Sequence, residues 1–382
     1  MTTQIPLQPP LDRTALVRDI RSVVVKLGTQ VLSDASHQLD DAYVAQIAKQ
    51  VAALRATGVR VTIVSSGALG SGMAELGITR RPVDVPSLQA VAAVGQRRLM
   101  DSWAQAFSPL GLKVAQVLLT RDDIDHRQRF LNLRNALNAI HDLGAVPVLN
   151  ENDTLSTDEL VRISFGDNDI LAALVCQSIR ADALVLLSVV PGVLDENKER
   201  VPVIHDIADA QRLLQPGKSP LGRGGMNSKL EAARIVTGSG ELLVVAHGRT
   251  DDVLLRIIRG EDVGTWFVPG RKSRSVGIGR WLRTARPRGW VVLDDGAIRA
   301  ILTQGKSLLP AGIVSVEGTF GVGDVIDIRQ SDGTSVARGL SNYSNDDVQR
   351  IMGKRTSDIR VSAPDAGYDE VVHRDNMSVE KQ

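Results

Sequence analysis

The chain has 382 residues, of which 43% are hydrophobic, 23% charged and 3% aromatic, and its formal net charge is +1. This length exceeds one ordinary core and predicts two domains, while the composition excludes a disordered or fibrous chain. The near-neutral charge gives no global attraction to nucleic acid, and the lack of an 18-residue apolar run argues against a membrane span.

The amino terminus and the single cysteine indicate the compartment. Residues 1–18 begin Pro-rich and polar, which predicts a flexible leader and not a secretion signal. Cys176 lies in an apolar stretch and has no second cysteine to pair with. We therefore expect a buried structural thiol and a reducing, cytoplasmic location.

Between residues 19 and 270, short β-branched runs alternate with helical stretches. This succession predicts an α/β/α sandwich, in which a mainly parallel sheet is covered by helices on both faces. Ligands of such sheets bind beyond the carboxyl ends of the strands. The predicted strands are 22–26, 59–65, 113–119, 145–149, 183–187 and 241–246, and the predicted helices are 41–56, 127–143, 170–179 and 228–237, with two helical segments around 87–107.

The pattern changes near residue 270. Residues 271–286 carry basic but no acidic side chains and are predicted to form a basic linker. Residues 287–365 predict a small β-rich domain with a helix at 295–304, a hairpin that turns at 331–333 and a short helix capped by Ser344. Residues 366–382 are predicted to form a polar tail.

Two small-residue segments follow the first two predicted strands. Lys26 and Gly28 end the first, where a glycine lets backbone amides approach a phosphate, although an ordinary turn with a solvated lysine fits as well. Ser66 and Gly67 open the second, where a helix amino terminus offers amides to an anion, and tight packing is an equal alternative. Because Glu75 replaces the third glycine of a dinucleotide fingerprint, that reading is not supported.

Two turns rich in Asn and Asp, 150–153 and 166–169, follow the predicted strand 145–149. Such groups are costly to bury unless they hold a polar ligand, another charge or a metal, so a functional interpretation is favoured. A purely metal-binding loop is the weaker alternative, because the ligand alternation of an EF-hand is missing.

A glycine-rich loop, 221–229, leads into a predicted helix. It suits nucleotide phosphates, with Lys229 reaching the transferred group. It is not a Walker A motif, the six histidines are scattered, and no G-x-S-x-G sequence occurs. A P-loop, a zinc site and a serine hydrolase are therefore disfavoured.

Taken in order, the segments VVVKLGT, VSSGA, AAVGQ, LLT, RFLN, VPVLNEND, FGDND and GRGGMNSK resemble the amino acid kinase family over residues 20–365, with a carboxyl-terminal part similar to a PUA domain. The resemblance implies that ATP, with Mg²⁺, phosphorylates the γ-carboxylate of L-glutamate to L-glutamyl 5-phosphate, the first step of proline biosynthesis. It implies a homo-oligomer, but it names no protein ligand for the metal.

The resemblance also implies roles for individual residues. Lys26 and Lys229 would act in catalysis on the phosphates, with Asp169 orienting both. Substrate binding would fall to Ser66, Gly67, Asp153 and Asn168, supported by Asn150 and Asp167. Nucleotide binding would involve Lys26, Gly28, Ser188, Val189, Arg223, Gly224, Gly225, Met226, Asn227, Ser228 and Lys229.

Two positions depart from the family pattern, and two alternatives stay open. Ser188-Val189 stands where Thr-Asp is usual, and Arg223 replaces a threonine, which affects expected nucleotide contacts. One alternative is another acceptor, such as acetylglutamate, aspartate or a nucleoside monophosphate. The other is RNA binding through the PUA-like part and the basic linker, although the PUA-like part has few aromatic side chains for stacking on bases, namely Trp290, Phe320 and Tyr343.

Overall fold

The structure is a computed structural model that describes residues 11–36, 38–155, 168–213, 223–270, 286–355, 358 and 368–379. The chain divides into two compact units, residues 1–273 and 274–382. The boundary falls within the predicted basic linker, of which residues 271–285 lie outside the described residues.

The first unit is built on one eight-stranded sheet. Its order is β3-β4-β2-β1-β5-β7-β8-β6, and every neighbouring pair is parallel except β7 and β8. The predicted mainly parallel sheet is thus confirmed. The strands are β1 Ser22–Leu27, β2 Arg60–Ser65, β3 Val114–Leu119, β4 Val146–Glu151, β5 Ala183–Ser188, β6 Val203–Ile204, β7 Leu242–His247 and β8 Thr265–Phe267.

Helices cover both faces of this sheet. Val23 and Val25 of β1 belong to one apolar cluster, whereas Val24 belongs to another, as expected when successive side chains of a strand point to opposite faces. The described helices are Arg13–Val17, Thr29–Leu32, Asp41–Ala56, Ala68–Glu75, Val85–Phe107, Arg121–Asp125, Arg127–Asp142, Asn168–Ile179, Ile207–Leu213, Arg223–Ser239 and Val253–Ile258. A 3₁₀ turn, Ser108–Leu110, follows the fifth of them.

The expectation of two helical segments around 87–107 was wrong. Val85–Phe107 is a single helix of 23 residues, and the Asp84 side chain caps it by accepting a hydrogen bond from the Ser87 amide. Its internal Gly95 meets Gly72 of the preceding helix so closely that a Cβ on Gly95 would lie 1.8 Å from the Ala68 carbonyl oxygen. The glycine therefore serves close helix packing and does not interrupt the helix.

The amino-terminal segment is ordered earlier than the leader prediction implies. Asp12 caps the helix Arg13–Val17 by accepting a hydrogen bond of 3.0 Å from the Ala15 amide. Val17 and Ile20 are buried in the first apolar cluster. Burial of these two side chains attaches residues 13–18 to the first unit, and residues 1–10 lie outside the described part.

The second unit contains a separate five-stranded sheet in the order β10-β9-β11-β12-β13. Its strands are β9 Gly289–Leu293, β10 Ile313–Gly318, β11 Val325–Arg329, β12 Ser335–Leu340 and β13 Met377–Val379, and its helices are Asp295–Gln304 and Asn345–Ile351, with 3₁₀ turns at Pro310–Gly312 and Arg374–Asn376. The antiparallel β11–β12 pair confirms the predicted hairpin. Ser344 caps the last helix as predicted, by accepting from the Asp347 amide.

Part of the predicted polar tail joins this second sheet. Met377 of β13 is buried, and Val371 and Val372 are fully buried in the core of the second unit. These apolar side chains explain why the segment packs against the sheet although its composition is mostly polar. Among the helices that the structure describes in either unit, none is long and apolar enough to cross a membrane.

Candidate active site

Two lysines that are far apart in sequence share one carboxylate. Lys26 Nζ lies 2.7 Å from Asp169 Oδ1, and Lys229 Nζ lies 2.9 Å from Asp169 Oδ2. Lys26, Asp169 and Lys229 are only 2%, 0% and 6% exposed. Two ammonium groups and one carboxylate give this triad a net charge of +1, so its charge complements that of a bound anion.

The fold brings the triad together at the carboxyl edge of the sheet. Lys26 is the penultimate residue of β1, which lies between β2 and β5. Asp169 is the second residue of the helix Asn168–Ile179. Both helices that supply Asp169 and Lys229 begin earlier than predicted, at Asn168 and Arg223, so these two side chains project from helical turns and not from loops.

The start of helix Arg223–Ser239 adds further contacts to the triad. Ser228 Oγ lies 3.1 Å from Asp169 Oδ2 and 3.0 Å from the Gly225 carbonyl oxygen. Lys229 Nζ also donates to the Gly225 carbonyl, at 3.1 Å. The Gly225 carbonyl and the Asp169 carboxylate fix the position of the Lys229 ammonium group, and the Ser228 hydroxyl contacts both of these acceptors.

A second polar cluster lies beside the triad, toward β2 and β4. Asn168 Nδ2 donates to Asn150 Oδ1 at 2.9 Å and to Ser66 Oγ at 3.0 Å. All three residues are buried. Within the residues that the structure describes, Asn168 Oδ1 is buried without a hydrogen-bond partner, and such an acceptor costs about 1–3 kcal/mol unless a donor reaches it. The cluster therefore suits a ligand that carries a hydrogen-bond donor.

The backbone turn at Ser66 and Gly67 adjoins the same cluster. The Ser66 amide donates to the Leu27 carbonyl at 3.1 Å, which joins the turn after β2 to the end of β1. Gly67 has a φ of +104°, a conformation that favours glycine, and it immediately precedes the helix Ala68–Glu75. The predicted Ser66-Gly67 turn thus borders both Asn168 and the strand that carries Lys26.

Asp153 follows β4 in a partly buried position. Burial, together with the nearby Glu151 carboxylate, raises the pKa of Asp153 to about 7. Both causes disfavour its ionised form, and a cationic group placed beside it would favour that form again. An amino group of a ligand is therefore a suitable partner for Asp153.

The proposed nucleotide contacts lie on the other side of β1, toward β5. The Gly28 amide donates to the Leu187 carbonyl at 3.3 Å, so the turn after β1 adjoins the end of β5. Ser188 ends β5, and Val189 follows it with 44% of its surface exposed. Within the described residues, neither of these two side chains hydrogen-bonds to the triad.

The glycine-rich loop is only partly described. Arg223 and Gly224 begin the helix, Gly225 and Asn227 are exposed, and Met226 is half-buried. Residues 214–222 and the predicted supporting residue Asp167 lie outside the described residues.

One residue of the site, Gln96, was missed by the sequence-based assignment. Gln96 Oε1 accepts a hydrogen bond of 2.8 Å from Asn150 Nδ2. Its segment, AAVGQ, is part of the family resemblance, and this was the available signal. Farther along the same helix, Trp103 Nε1 donates to Ser65 Oγ at 3.1 Å, a contact that no motif indicates.

Metal and thiol chemistry find little support in the described residues. Among them, no group of three or more His, Cys, Asp and Glu side chains is arranged to hold a metal ion. Cys176 is fully buried, and its pKa is raised well above the ordinary value, chiefly by burial. The thiol therefore belongs to the core, as predicted.

Comparison with known proteins identifies both units. The model of the amino acid kinase family matches residues 21–247, and the PUA domain model matches residues 289–362. The chain is 41% identical over 374 residues to glutamate 5-kinase of Geobacter sulfurreducens, covering 96% of this chain and 100% of that protein. It is 43% identical over 368 residues to glutamate 5-kinase of Thermus thermophilus, covering 95% and 98%.

A solved structure, carbamate kinase from Giardia lamblia bound to AMP-PNP, is also similar, with a TM-score of 0.47 and 17% identity over 66% of this chain and 99% of that chain. This score is too low for inferences about individual residues.

Proposed function

The chain belongs to the amino acid kinase family, and from this we propose that it has glutamate 5-kinase activity, transferring the γ-phosphoryl group of ATP to the γ-carboxylate of L-glutamate. The product is L-glutamyl 5-phosphate, an acyl phosphate, and the reaction is the first step of proline biosynthesis. The observation that carries the proposal is the shared Asp169 carboxylate between the buried ammonium groups of Lys26 and Lys229.

Phosphoryl transfer depends on positioning and on neutralising the charge around the moving group. Lys26 and Lys229 provide two positive charges beside the phosphates of one nucleotide, and Asp169 holds both ammonium groups at the carboxyl edge of the sheet. An oxygen of the glutamate γ-carboxylate attacks the γ-phosphorus, the bond from that phosphorus to the β–γ bridging oxygen breaks, and ADP leaves with the electron pair. No general base is required, because a carboxylate with a pKa of about 4.3 is already ionised at neutral pH.

The acceptor binds on the side of β2 and β4. Asp153 attracts its α-ammonium group, and Asn168 Oδ1 accepts a hydrogen bond from the same group. Ser66 and the amides at Gly67 and the helix that follows suit a carboxylate. Asn150 supports Asn168 through their 2.9 Å hydrogen bond. A supporting role for Asp167 stays a prediction.

ATP binds on the side of β5. Gly28, Ser188 and Val189 border its path, and the segment Arg223, Gly224, Gly225, Met226, Asn227 and Ser228 provides a helix amino terminus for its phosphates. When Mg²⁺ is bound with ATP, it would supply further neutralisation of the phosphate charge. No protein ligand is assigned to it.

The decisive experiment is hydroxamate trapping of the acyl phosphate. Purified full-length protein, ATP and Mg²⁺ are incubated with glutamate and hydroxylamine, and glutamyl hydroxamate is expected together with stoichiometric ADP. Parallel reactions contain acetylglutamate, aspartate or a nucleoside monophosphate. Preferred turnover of any of these three would replace glutamate as the acceptor while leaving the kinase assignment in place.

Location and assembly follow from the same family membership. We expect the protein in the cytoplasm, where proline synthesis draws on glutamate, and as a homo-oligomer, either a dimer or a tetramer. Size-exclusion chromatography with light scattering measures the assembly directly.

RNA binding is a second candidate function, and the match of the second unit to the PUA domain model favours it. Residues 287–365 contain three aromatic side chains, and two of them are buried, Phe320 at 5% and Tyr343 at 6% exposure. The third, Trp290, is covered by the Arg329 guanidinium group 4.4 Å from its ring centre. A gel-shift titration of structured RNA at low salt tests the candidate, and absence of a shift there would remove it.

A further inference from the structure

The helix Val85–Phe107 contacts the chain on both sides of Asp153, at Asn150 near the end of β4 and at Thr154 in the turn that follows. Gln96 Oε1 accepts from Asn150 Nδ2 at 2.8 Å, and Gln89 Nε2 donates to the Thr154 carbonyl oxygen at 3.2 Å. Residues seven apart lie on the same face of a helix, two turns from each other. One helix face is therefore attached to the turn that carries Asp153.

The contact with Gln96 continues into the acceptor cluster. A side-chain amide has an acceptor at one end and donors at the other, so fixing one end fixes the other. Gln96 accepts from Asn150 Nδ2, which turns Asn150 Oδ1 toward Asn168. Asn168 Nδ2 then donates to that oxygen at 2.9 Å. The orientation of each amide sets the orientation of the next.

The backbone beside Asn168 favours the same orientation of its side-chain amide. The Ser65 carbonyl oxygen lies 3.5 Å from Asn168 Nδ2, and a carbonyl can only accept. Asn168 Oδ1 consequently points away from Asn150, Ser66 and Ser65, and it is the buried acceptor for which the described part of the chain offers no partner. If the Gln96, Asn150 and Asn168 amides were all reversed, an NH₂ group would stand in the position of Asn168 Oδ1.

We propose that Gln96 is a positioning residue, which orients Asn168 so that its oxygen, and not its NH₂ group, is offered to the α-ammonium group of the bound amino acid. This inference rests on the proposed function and deepens it. Gln96 acts through Asn150 and needs no contact with the acceptor. Without the Gln96 acceptor, the buried Asn150 amide loses a partner, and the preference of Asn150 and Asn168 for their present orientations weakens, with only the 3.5 Å contact of the Ser65 carbonyl left to favour that of Asn168.

The substitution Gln96→Met tests whether Gln96 orients Asn150 and Asn168, because methionine has a similar length but no acceptor oxygen. We expect the KM for glutamate to rise about tenfold, as for the loss of one buried hydrogen bond. The kcat and the KM for ATP should change less than about twofold.

Glutarate separates orientation from general damage to the site. It carries the same two carboxylates as glutamate but no ammonium group, and it is measured as a competitive inhibitor. Its inhibition constant should change less than about twofold in Gln96→Met. An equal rise of the glutamate KM and the glutarate inhibition constant would mean a merely structural role, and the proposal would be wrong.

Two further variants complete the test. Gln89→Met makes the same chemical change on the same helix, but it frees a backbone carbonyl that water can reach, so the glutamate KM should rise less than about twofold. If the glutamate KM rose as much in Gln89→Met as in Gln96→Met, the proposed positioning role of Gln96 would be wrong. Gln96→Glu keeps the acceptor oxygen, so the glutamate KM should not rise by a larger factor than the glutarate constant. This comparison also decides the matter if Gln96→Met does not fold.

The outcomes distinguish this inference from the function on which it depends. A wild-type protein that forms no glutamyl hydroxamate overturns the proposed function itself. A wild-type protein that forms it, with Gln96→Met kinetically unchanged, overturns only the role of Gln96.

Discussion

Lys229 Nζ donates to Asp169 Oδ2 across 2.9 Å, and both side chains are almost fully removed from solvent. Removing Lys229 does not strand the Asp169 charge, because Lys26 stays within 2.7 Å of the other carboxylate oxygen. The ion pair can therefore be tested by truncation with the fold preserved.

We expect Lys229→Ala to lower kcat by more than about tenfold, since it removes charge stabilisation of the transferred group. The melting temperature should change little. The control is Arg234→Ala, an exposed position on the same helix whose partner is Glu231, and it should keep full activity. Hydroxamate formation and thermal unfolding are measured on both variants. Full activity of Lys229→Ala would contradict the assigned role.

Two glycines on one helix have opposite structural environments and form a matched pair. A Cβ on Gly72 would lie 1.8 Å from the Val91 carbonyl oxygen, whereas one on Gly70 meets no atom within 4 Å. Gly72→Ala should therefore force the helices Ala68–Glu75 and Val85–Phe107 apart and lower the melting temperature. Gly70→Ala should leave the melting temperature unchanged or raise it. The corresponding increase in the free energy of unfolding is at most about 0.5–1 kcal/mol. Equal behaviour of the two variants would refute the packing argument.

This packing shows where sequence reasoning stops. The run from Ser65 to Gly72 suggested either a ligand loop or tight packing. Gly72 packs against Gly95, whereas Gly67 opens the helix beside the polar cluster, where ligand binding stays a prediction. Close approach of two backbones depends on tertiary geometry, so composition alone does not divide the glycines between these roles. The single helix Val85–Phe107 was missed for a related reason, because its Gly95 is explained only by the neighbouring helix.

The strands and the triad were easier to anticipate. Buried parallel strands read as short β-branched runs, and their ends bring residues as distant as Lys26 and Lys229 to one edge of the sheet. The family resemblance supplied the pairing of these lysines with Asp169. Gln96 was not assigned a role, since its importance lies in which end of the Asn150 amide it contacts, and a sequence contains no such directional information.

A partly buried histidine beside β2 should make the first unit sensitive to acid. His141 Nε2 lies 2.9 Å from Thr62 Oγ1, and burial, followed by the positive charges of Arg55 and Arg60, lowers the pKa of His141 to about 4. The unfolded chain takes up this proton near pH 6.5, whereas the folded chain resists it until about pH 4. Stability is therefore fully present above pH 6.5 and falls as the pH drops from there toward 4.

His141→Gln should reduce this acid-dependent loss by about 1–3 kcal/mol while keeping a partner for Thr62. Melting temperatures measured between pH 4 and pH 8 provide the comparison. Replacing the exposed His205 with Gln is the control and should leave the wild-type slope in place. The prediction fails if His141→Gln and wild type lose stability in parallel.

The raised pKa of Asp153 has a consequence for substrate binding. Burial and the Glu151 charge place this pKa at about 7, so the carboxyl group is largely neutral below that pH. A neutral group no longer attracts an α-ammonium group, while the γ-carboxylate of glutamate stays ionised. The KM for glutamate should therefore rise as the pH falls from 8 to 6, by up to about tenfold per unit below the pKa, and the KM for ATP should not follow it.

Asp153→Asn supplies the matched comparison, because it retains the shape of the side chain without its titration. The variant should have a higher glutamate KM at pH 8 and little further change down to pH 6. By linkage, an acid whose pKa is raised on folding stabilises the fold below its unfolded value near 4 and loses that contribution as the pH rises through about 7. Asp153→Asn should thus be relatively more stable than wild type at pH 8. A wild-type glutamate KM that does not vary with pH would exclude Asp153 as the partner of the α-ammonium group.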